Sequence, residues 1–193
     1  YGMTKVVIEK LLKDISCNTT NKWRIANLRY FNPIGAHCSG LIGESPSGTA
    51  NNIFPLILDA AVGNLKKLSV FGNDWPTPDG TPIRDYIHVM DLAEAHIRAL
   101  EFLFSKEPSC IDLNIGTGAG TSVLELIRIF EESNKIKIPF KFSPRRLGDV
   151  QYLVADNQLA LNTLNWKPRK TIRDMCKDGW KWKKLNPSGY TKE

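Results

Sequence analysis

Ile83-Arg-Asp-Tyr-Ile-His88 runs without a break into Val89-Met-Asp-Leu-Ala-Glu-Ala-His-Ile-Arg-Ala-Leu-Glu-Phe-Leu-Phe-Ser105. The first segment reads as a strand. The second reads as an amphipathic helix, with Leu92, Ala93, His96, Ala99, Leu100 and Leu103 on one stripe. Working outward, Gly72 to Pro82 is rich in turn residues and Leu68 to Phe71 is a short β segment. Asn52 to Gly63 reads as a helix stopped by its glycine. A long loop over Phe31 to Asn51, rich in Gly, Pro and Ser, is of the kind that carries function. Arg24 to Tyr30 reads as a strand. Tyr1 to Ile15 reads as a helix with Val7, Ile8, Leu11, Leu12 and Ile15 in register. Downstream, Ile111 to Ile115 is a strand, Thr121 to Ser133 a helix and Phe140 to Ser143 extended. Asn157 to Asn165 and Thr171 to Lys184 are helices. Strands alternating with helices predict an α/β fold.

The 193 residues allow one domain or two small ones. Apolar residues at 42% and charged residues at 24% exclude disorder and collagen. Tyr30 to Gly43, as long as any uncharged stretch in the chain, is too short and too polar to span a bilayer. No secretory signal opens the chain. It begins on Tyr1 rather than Met and reads as a piece of something longer. Lys plus Arg exceed Asp plus Glu by 26 − 20 = 6, which suits an anionic partner: nucleic acid, a membrane surface or a phosphorylated small molecule. The densest basic run, Lys181, Lys183 and Lys184, alternates with Trp180 and Trp182. It reads as a final amphipathic helix with a solvated basic face, in preference to a nucleic-acid surface. Cys17, Cys38, Cys110 and Cys176 are widely separated, with no C-x-x-C pair. They read as reduced thiols of a cytoplasmic protein, and no metal site is expected.

Tyr1 and Lys5 stand four apart, so on a helix they share a face. An ammonium beside a phenol favours the phenolate, which would make Tyr1 a general acid/base. The same spacing also fits an exposed Tyr–Lys pair with no role. Gly116-Thr-Gly118-Ala-Gly120 follows a strand and precedes a helix, as a dinucleotide loop does. Thr121 stands where the third glycine is needed, and no acidic residue follows about 20 positions on. It reads instead as a tight turn in which backbone approaches a ligand. Asn51 and Asn52 can cap a helix or hold a ligand there. Arg84 and Tyr86 share a strand face. Arg145 and Arg146, with Asp149, can clamp a diphosphate or sit at the surface.

Taken together, several motifs resemble the UDP-glucose 4-epimerase family of extended short-chain dehydrogenases. They are Tyr1-x-x-x-Lys5, Leu28-Arg-Tyr-Phe-Asn-Pro33, Pro33-Ile-Gly-Ala-His37, Phe71-Gly-Asn-Asp74, Gly80-Thr81, Arg84 to Leu92, Asn114-Ile-Gly-Thr-Gly118 and Arg145-Arg-Leu-Gly-Asp149. The likeness covers essentially all 193 residues. It implies the C-terminal part of a Rossmann-type NAD-binding fold plus a smaller mixed α/β UDP-sugar-binding domain. A remnant of the first, about 1–30 with returning segments, is interleaved with the second, about 31–193. The family's glycine-rich NAD loop is not in the chain, so the chain alone is expected to be inactive.

The resemblance also implies interconversion of UDP-galactose and UDP-glucose through transient NAD-dependent oxidation at sugar C4. Tyr1 would be the acid/base, and Lys5 would hold the nicotinamide ribose. Phe31 would lie against the nicotinamide end. Asn32 and Asn52 would hold the nucleotide-sugar, and Ser69, Val70 and Phe71 would flank uracil. Arg84 and Arg146 would grip the diphosphate, while Tyr86, Val123 and Asp149 complete the pocket. Leu153 stands where relatives carry either Tyr or a small Cys facing the hexose. Its intermediate size leaves N-acetylhexosamine substrates open. Two alternatives stay beside this reading. One is a non-catalytic UDP-sugar module; the other is a sister enzyme such as a dehydratase or a uronate or pentose epimerase. The implied partners are UDP-glucose and UDP-galactose, with neither nucleic acid nor membrane. A homodimer is compatible with the family, as is a cytoplasmic location.

Overall fold

The computed structural model describes residues 2–18, 20, 22–46, 48 and 50–190. The decisive stretch folds on the expected boundaries, as strand β4 (Ile83–His88) and helix α3 (Val89–Ser105), in a chain that opens on helix α1 (Gly2–Ser16). The joint is made by His88, whose side chain accepts the backbone N–H of Met90 at 3.0 Å and so caps the helix. The buried face of α3 is Asp91, Leu92, Ala95 and Ala99, which keeps Leu92 and Ala99 of the expected stripe and adds Ala95. Ala93 and His96 are exposed, and Leu100 is 54% exposed. The two alanines let the helix lie close over the sheet, where Leu100 would not fit.

Three small sheets surround this unit. Strands β1 (Ile25–Tyr30) and β5 (Cys110–Ile115) pair in parallel, Tyr30 opposite Ile115. Strand β2 (Asn32–Ile34) pairs in parallel with β4, which also takes β6 (Gly120–Ser122) antiparallel and β8 (Tyr152–Leu153) in parallel. Strands β3 (Leu68–Phe71) and β7 (Phe140–Ser143) form the third, parallel pair. The sequence reading missed β2, β6 and β8. Each is only two or three residues long, and β2 carries Pro33, which an edge strand tolerates.

The remaining helices are α2 (Ile53–Ala61), α4 (Val123–Asn134), α5 (Gln158–Leu164) and α6 (Ile172–Leu185). Two apolar cores result. One gathers Phe54, Ile57, Leu68, Tyr86, Phe130 and Met175 between α2, α4, α6 and β3. The other gathers Ile87, Leu92, Leu113, Ile115, Leu164 and Trp166 between α3, α5 and the β1–β5 pair. Neighbouring residues of β4, Tyr86 and Ile87, belong to different cores because successive side chains on a strand point to opposite faces.

The helix read over Tyr1 to Ile15 is present as α1, and its apolar positions are exposed, Val7 at 60% and Leu11 at 56%. Glu9 accepts from Arg29 of β1 at 2.5 and 2.6 Å, which links the helix to that strand. That hydrogen bond also lowers the Glu9 pKa. The basic run on α6 is not simply solvated. Lys183 is 8% exposed with its Nζ 2.7 Å from Asp59, and Lys181 donates to the Cys38 carbonyl at 2.6 Å. Among the described residues no helix is long and apolar enough to cross a membrane.

Candidate active site

β4 presents Arg84 and Tyr86 on one face, and register places Asn32 of β2 beside Tyr86. Around them lies a cavity of about 210 Å³. Ser69, Val70 and Phe71 of β3 form a second wall, and Asn51, Asn52, Ile53 and Leu56 at the start of α2 a third. Val123 at the start of α4, with Arg146 and Asp149 from the β7–β8 loop, completes it. Asn32, Asn52, Ser69, Val70, Phe71, Arg84, Tyr86, Val123, Arg146 and Asp149 were all expected at one site, and the fold brings them to one cavity. Ile53, Leu56 and Pro82 also line it and were missed. Ile53 and Leu56 follow Asn52 by one and four residues, a helical spacing that could have flagged them.

Two arginines dominate the charge. Arg84 donates to Asp149 Oδ1 at 2.9 Å and to the Val150 carbonyl at 2.8 Å, which holds the β7–β8 loop against β4. The Arg146 guanidinium lies 3.9 Å from the Phe71 ring centroid and reaches the Asn51 carbonyl at 3.4 Å. Tyr86 is buried, and its hydroxyl has no hydrogen-bond partner among the described residues. Burial pushes its pKa up, so it stays a neutral donor at physiological pH. A buried hydroxyl without a partner costs free energy unless something else accepts its hydrogen bond. A phosphate or sugar oxygen in the cavity would supply that acceptor.

Asn52 occupies the cap position of α2 but makes no cap hydrogen bond. Burial raises the pKa of the Glu44 carboxyl, against the pull of the Asn52 side chain. The N-terminus of α4 is closed to an external anion. Val123 N–H donates to the Pro82 carbonyl at 3.1 Å, Leu124 N–H to the Thr81 hydroxyl at 3.2 Å, and Ser122 accepts from Glu125 N–H at 3.0 Å. The start of α4 thus offers the cavity none of these N–H groups, and the cavity's positive charge comes from the two arginines.

The Gly116–Gly120 turn does bring backbone onto an anion, but the anion is internal. Asp85 Oδ2 accepts the N–H groups of Gly118 at 2.9 Å and Ala155 at 3.2 Å. Gly118 has φ +75°, and a Cβ on Gly116 would meet Asp85 Oδ2 and the Ala155 Cβ at 2.6 Å.

Three expected site residues stand apart. Leu153 is 47% exposed and pairs with Arg84 along β8 but does not line the cavity. Lys5 is exposed on α1, and Phe31 follows β1 with its N–H donating to the Ile115 carbonyl at 3.3 Å. Tyr1 lies outside the described residues.

A parallel pair, β1–β5, backed by α3 and α5 and set beside a mixed sheet that carries a basic cavity, suits a nucleotide-binding α/β protein. The chain belongs to the family described as GDP-mannose 4,6 dehydratase, which it matches over residues 1–179. It is 48% identical over 191 residues to a UDP-glucose 4-epimerase from Dictyostelium discoideum, covering 99% of this chain and 55% of that protein. Among solved structures, a UDP-glucose 4-epimerase from Stenotrophomonas maltophila, with bound NAD and formylated UDP-arabinopyranose, superposes with a TM-score of 0.92. Identity is 52%, over 96% of this chain and 55% of that one. The enzyme from Bifidobacterium longum in complex with NAD+ and UDP gives a TM-score of 0.93 at 43% identity, over 98% of this chain and 56% of that one. The chain thus spans about half the length of the relatives it matches.

Proposed function

We propose that the whole protein is a UDP-glucose 4-epimerase, and that this chain supplies its UDP-sugar site and one wall of its NAD site. The observation that carries the reading is the Tyr86 hydroxyl, buried and unpartnered in a cavity flanked by Arg84 and Arg146. Two guanidiniums and a neutral hydroxyl donor suit a diphosphate. Phe71 offers a flat apolar face to uracil, Asp149 can accept from a ribose hydroxyl, and Asn32 and Asn52 can hold the hexose end.

Support for the NAD side comes from the strand ends. β1 and β5 end together at Tyr30 and Ile115, and the carboxyl ends of parallel strands are where such folds seat ligands. Phe31 leaves β1 at that edge and would present its backbone to the nicotinamide. Lys5 would hold the nicotinamide ribose, and its charge would favour the Tyr1 phenolate. Tyr1 takes the proton of the sugar 4-hydroxyl at its phenolic oxygen and later returns it. NAD held there would supply a reversible hydride acceptor for sugar C4. In this reading, residues about 1–30 with returning segments serve the NAD domain and about 31–193 the UDP-sugar domain. UDP-glucose and UDP-galactose are the substrates. The free state of all four cysteines suits a cytoplasmic enzyme.

The test is conversion of UDP-galactose to UDP-glucose by the whole protein and by its Tyr1→Phe variant. The variant should lose ~10²–10⁴-fold in rate with UDP affinity unchanged. A variant that kept the wild-type rate would overturn the acid/base role, and a whole protein with no conversion would overturn the activity.

A further inference from the structure

Arg145 and Arg146 are neighbours with different surroundings. Arg146 lines the cavity and lies over Phe71; Arg145 does not line it. The Arg145 guanidinium lies 4.0 Å from the Trp75 ring centroid. Its Nε donates to Asp74 Oδ1 at 2.8 Å and its Nη2 to the Asp74 carbonyl at 2.6 Å. Each arginine therefore has its own aromatic platform, and both platforms come from one short segment, Phe71 to Trp75. Between them Gly72 has φ +80°, and a Cβ there would meet the Trp75 indole at 2.4 Å and Arg145 Cγ at 3.0 Å. Only glycine lets the segment turn so that the indole reaches Arg145. The two segments are also joined at the strand ends, where Gly72 N–H donates to the Ser143 carbonyl at 2.8 Å.

We propose that Arg145 is a positioning residue for the ligand: by clasping Asp74 and Trp75 it sets the stack of Arg146 on Phe71, and so the width of the uracil and diphosphate end of the cavity. This rests on the UDP reading of that cavity. A guanidinium on a flexible stem gives a specific diphosphate contact only if its place is fixed beforehand. The Phe71 platform and the Asn51 carbonyl locate its head. Arg145, one residue back, locates the backbone from which it springs. A shift of about 1 Å at such a site can cost up to ~10²-fold.

UDP is titrated calorimetrically into the whole protein and its variants. Arg146→Ala, the contact residue, should lose affinity. Arg145→Ala, Asp74→Ala and Trp75→Ala should each weaken UDP by roughly tenfold, while Trp75→Phe, which keeps a platform, stays within about threefold. In turnover, Arg145→Ala should raise KM with kcat unchanged, because only uniform binding is lost; a merely unstable protein would lower kcat through its active fraction. In ligand-free protein, the Arg146 side-chain proton signals, shielded by the Phe71 ring, should move downfield in Arg145→Ala. If wild type does not bind UDP, the reading of the cavity fails and this inference with it. If Arg146→Ala weakens UDP while Arg145→Ala and Asp74→Ala bind like wild type, or the Arg146 signals stay in place, the positioning role is overturned and the cavity reading stands.

Discussion

Asp85 and Thr117 are joined twice: Asp85 Oδ1 accepts the Thr117 backbone N–H at 2.9 Å and the Thr117 hydroxyl at 2.6 Å. With Gly118 and Ala155 on the other oxygen, one fully buried carboxylate organises the glycine turn and the approach to α5. Because Asp85 lies between Arg84 and Tyr86 on β4, it holds the far side of the strand whose near side carries the cavity.

Asp85→Ala should therefore be among the more destabilising single changes. It leaves several donors without an acceptor, each costing ~1–3 kcal/mol when buried. A loss above ~2 kcal/mol is expected in urea denaturation, with Asp85→Asn losing less. A change within ~0.5 kcal/mol, the range of ordinary surface substitutions, would show that the turn holds itself.

Arg84→Ala and Arg146→Ala should each weaken UDP binding by roughly tenfold to over a hundredfold, the equivalent of ~1.5–3 kcal/mol. Arg84→Ala should also loosen the β7–β8 loop, since it releases Asp149 and the Val150 carbonyl. That variant should thus gain protease sensitivity near residue 149 while Arg146→Ala does not. Calorimetry and limited proteolysis read the two effects separately. An arginine whose loss leaves the affinity unchanged has no diphosphate role.

Lys183→Ala should leave UDP affinity alone and lower stability by about 1–3 kcal/mol, the worth of a charged hydrogen bond in a nearly buried setting. The cause is the Asp59 carboxylate left behind 2.7 Å from an absent ammonium. The urea midpoint measures it, with Lys137→Ala as the comparison. Lys137 is 92% exposed, and its removal should register little.

His88 gives the pH dependence. Burial lowers its pKa below the ordinary ~6.5, against the pull of Asp178, and it sits in the neutral form with Nδ1 accepting from Met90 and Nε2–H donating to Asp178 Oδ2 at 3.2 Å. Lys170 and Asp91 also act on it. A depressed folded-state pKa means that the unfolded chain takes up the proton first. The stability it contributes is present in full above ~6.5 and is lost as pH falls from there toward the lowered folded value. Urea midpoints at about pH 7.5 and pH 5.5 should fall more in wild type than in His88→Asn, which can still cap α3. Equal falls would assign the slope to carboxylates instead.

What was legible followed the physics of each segment. β4 and α3 were read to the residue because a strand and a long periodic helix are both strong patterns. Much of the site came from the resemblance, carried by motifs such as Leu28–Pro33, Phe71–Asp74, Arg84–Leu92 and Arg145–Asp149, and the cavity gathers ten of the eleven residues expected to bind substrate. β2 and β8 have no pattern to read; they exist because β4 offers unpaired edges to whatever passes beside it. Periodicity found Leu92 and Ala99 on the buried face of α3 but chose Leu100 over Ala95, because it weighs the larger apolar residue, whereas close packing selects the smaller side chain. Lys183 looked like surface because its partner, Asp59, is distant in sequence. The glycine turn looked like a ligand cradle because its backbone is one; composition does not say that the carboxylate it holds is the chain's own.

The sharing of β4 between two cores bears on how the molecule comes apart. Tyr86 anchors one cluster and Ile87 the next, so neither half can lose its packing without stripping a wall from the other. Cooperative unfolding of both as one unit follows, with the β4 amides among the slowest to exchange with deuterium. A molecule seated on Arg84 and Tyr86 would then slow exchange in β5 and α5 as well, on the opposite face from where it sits.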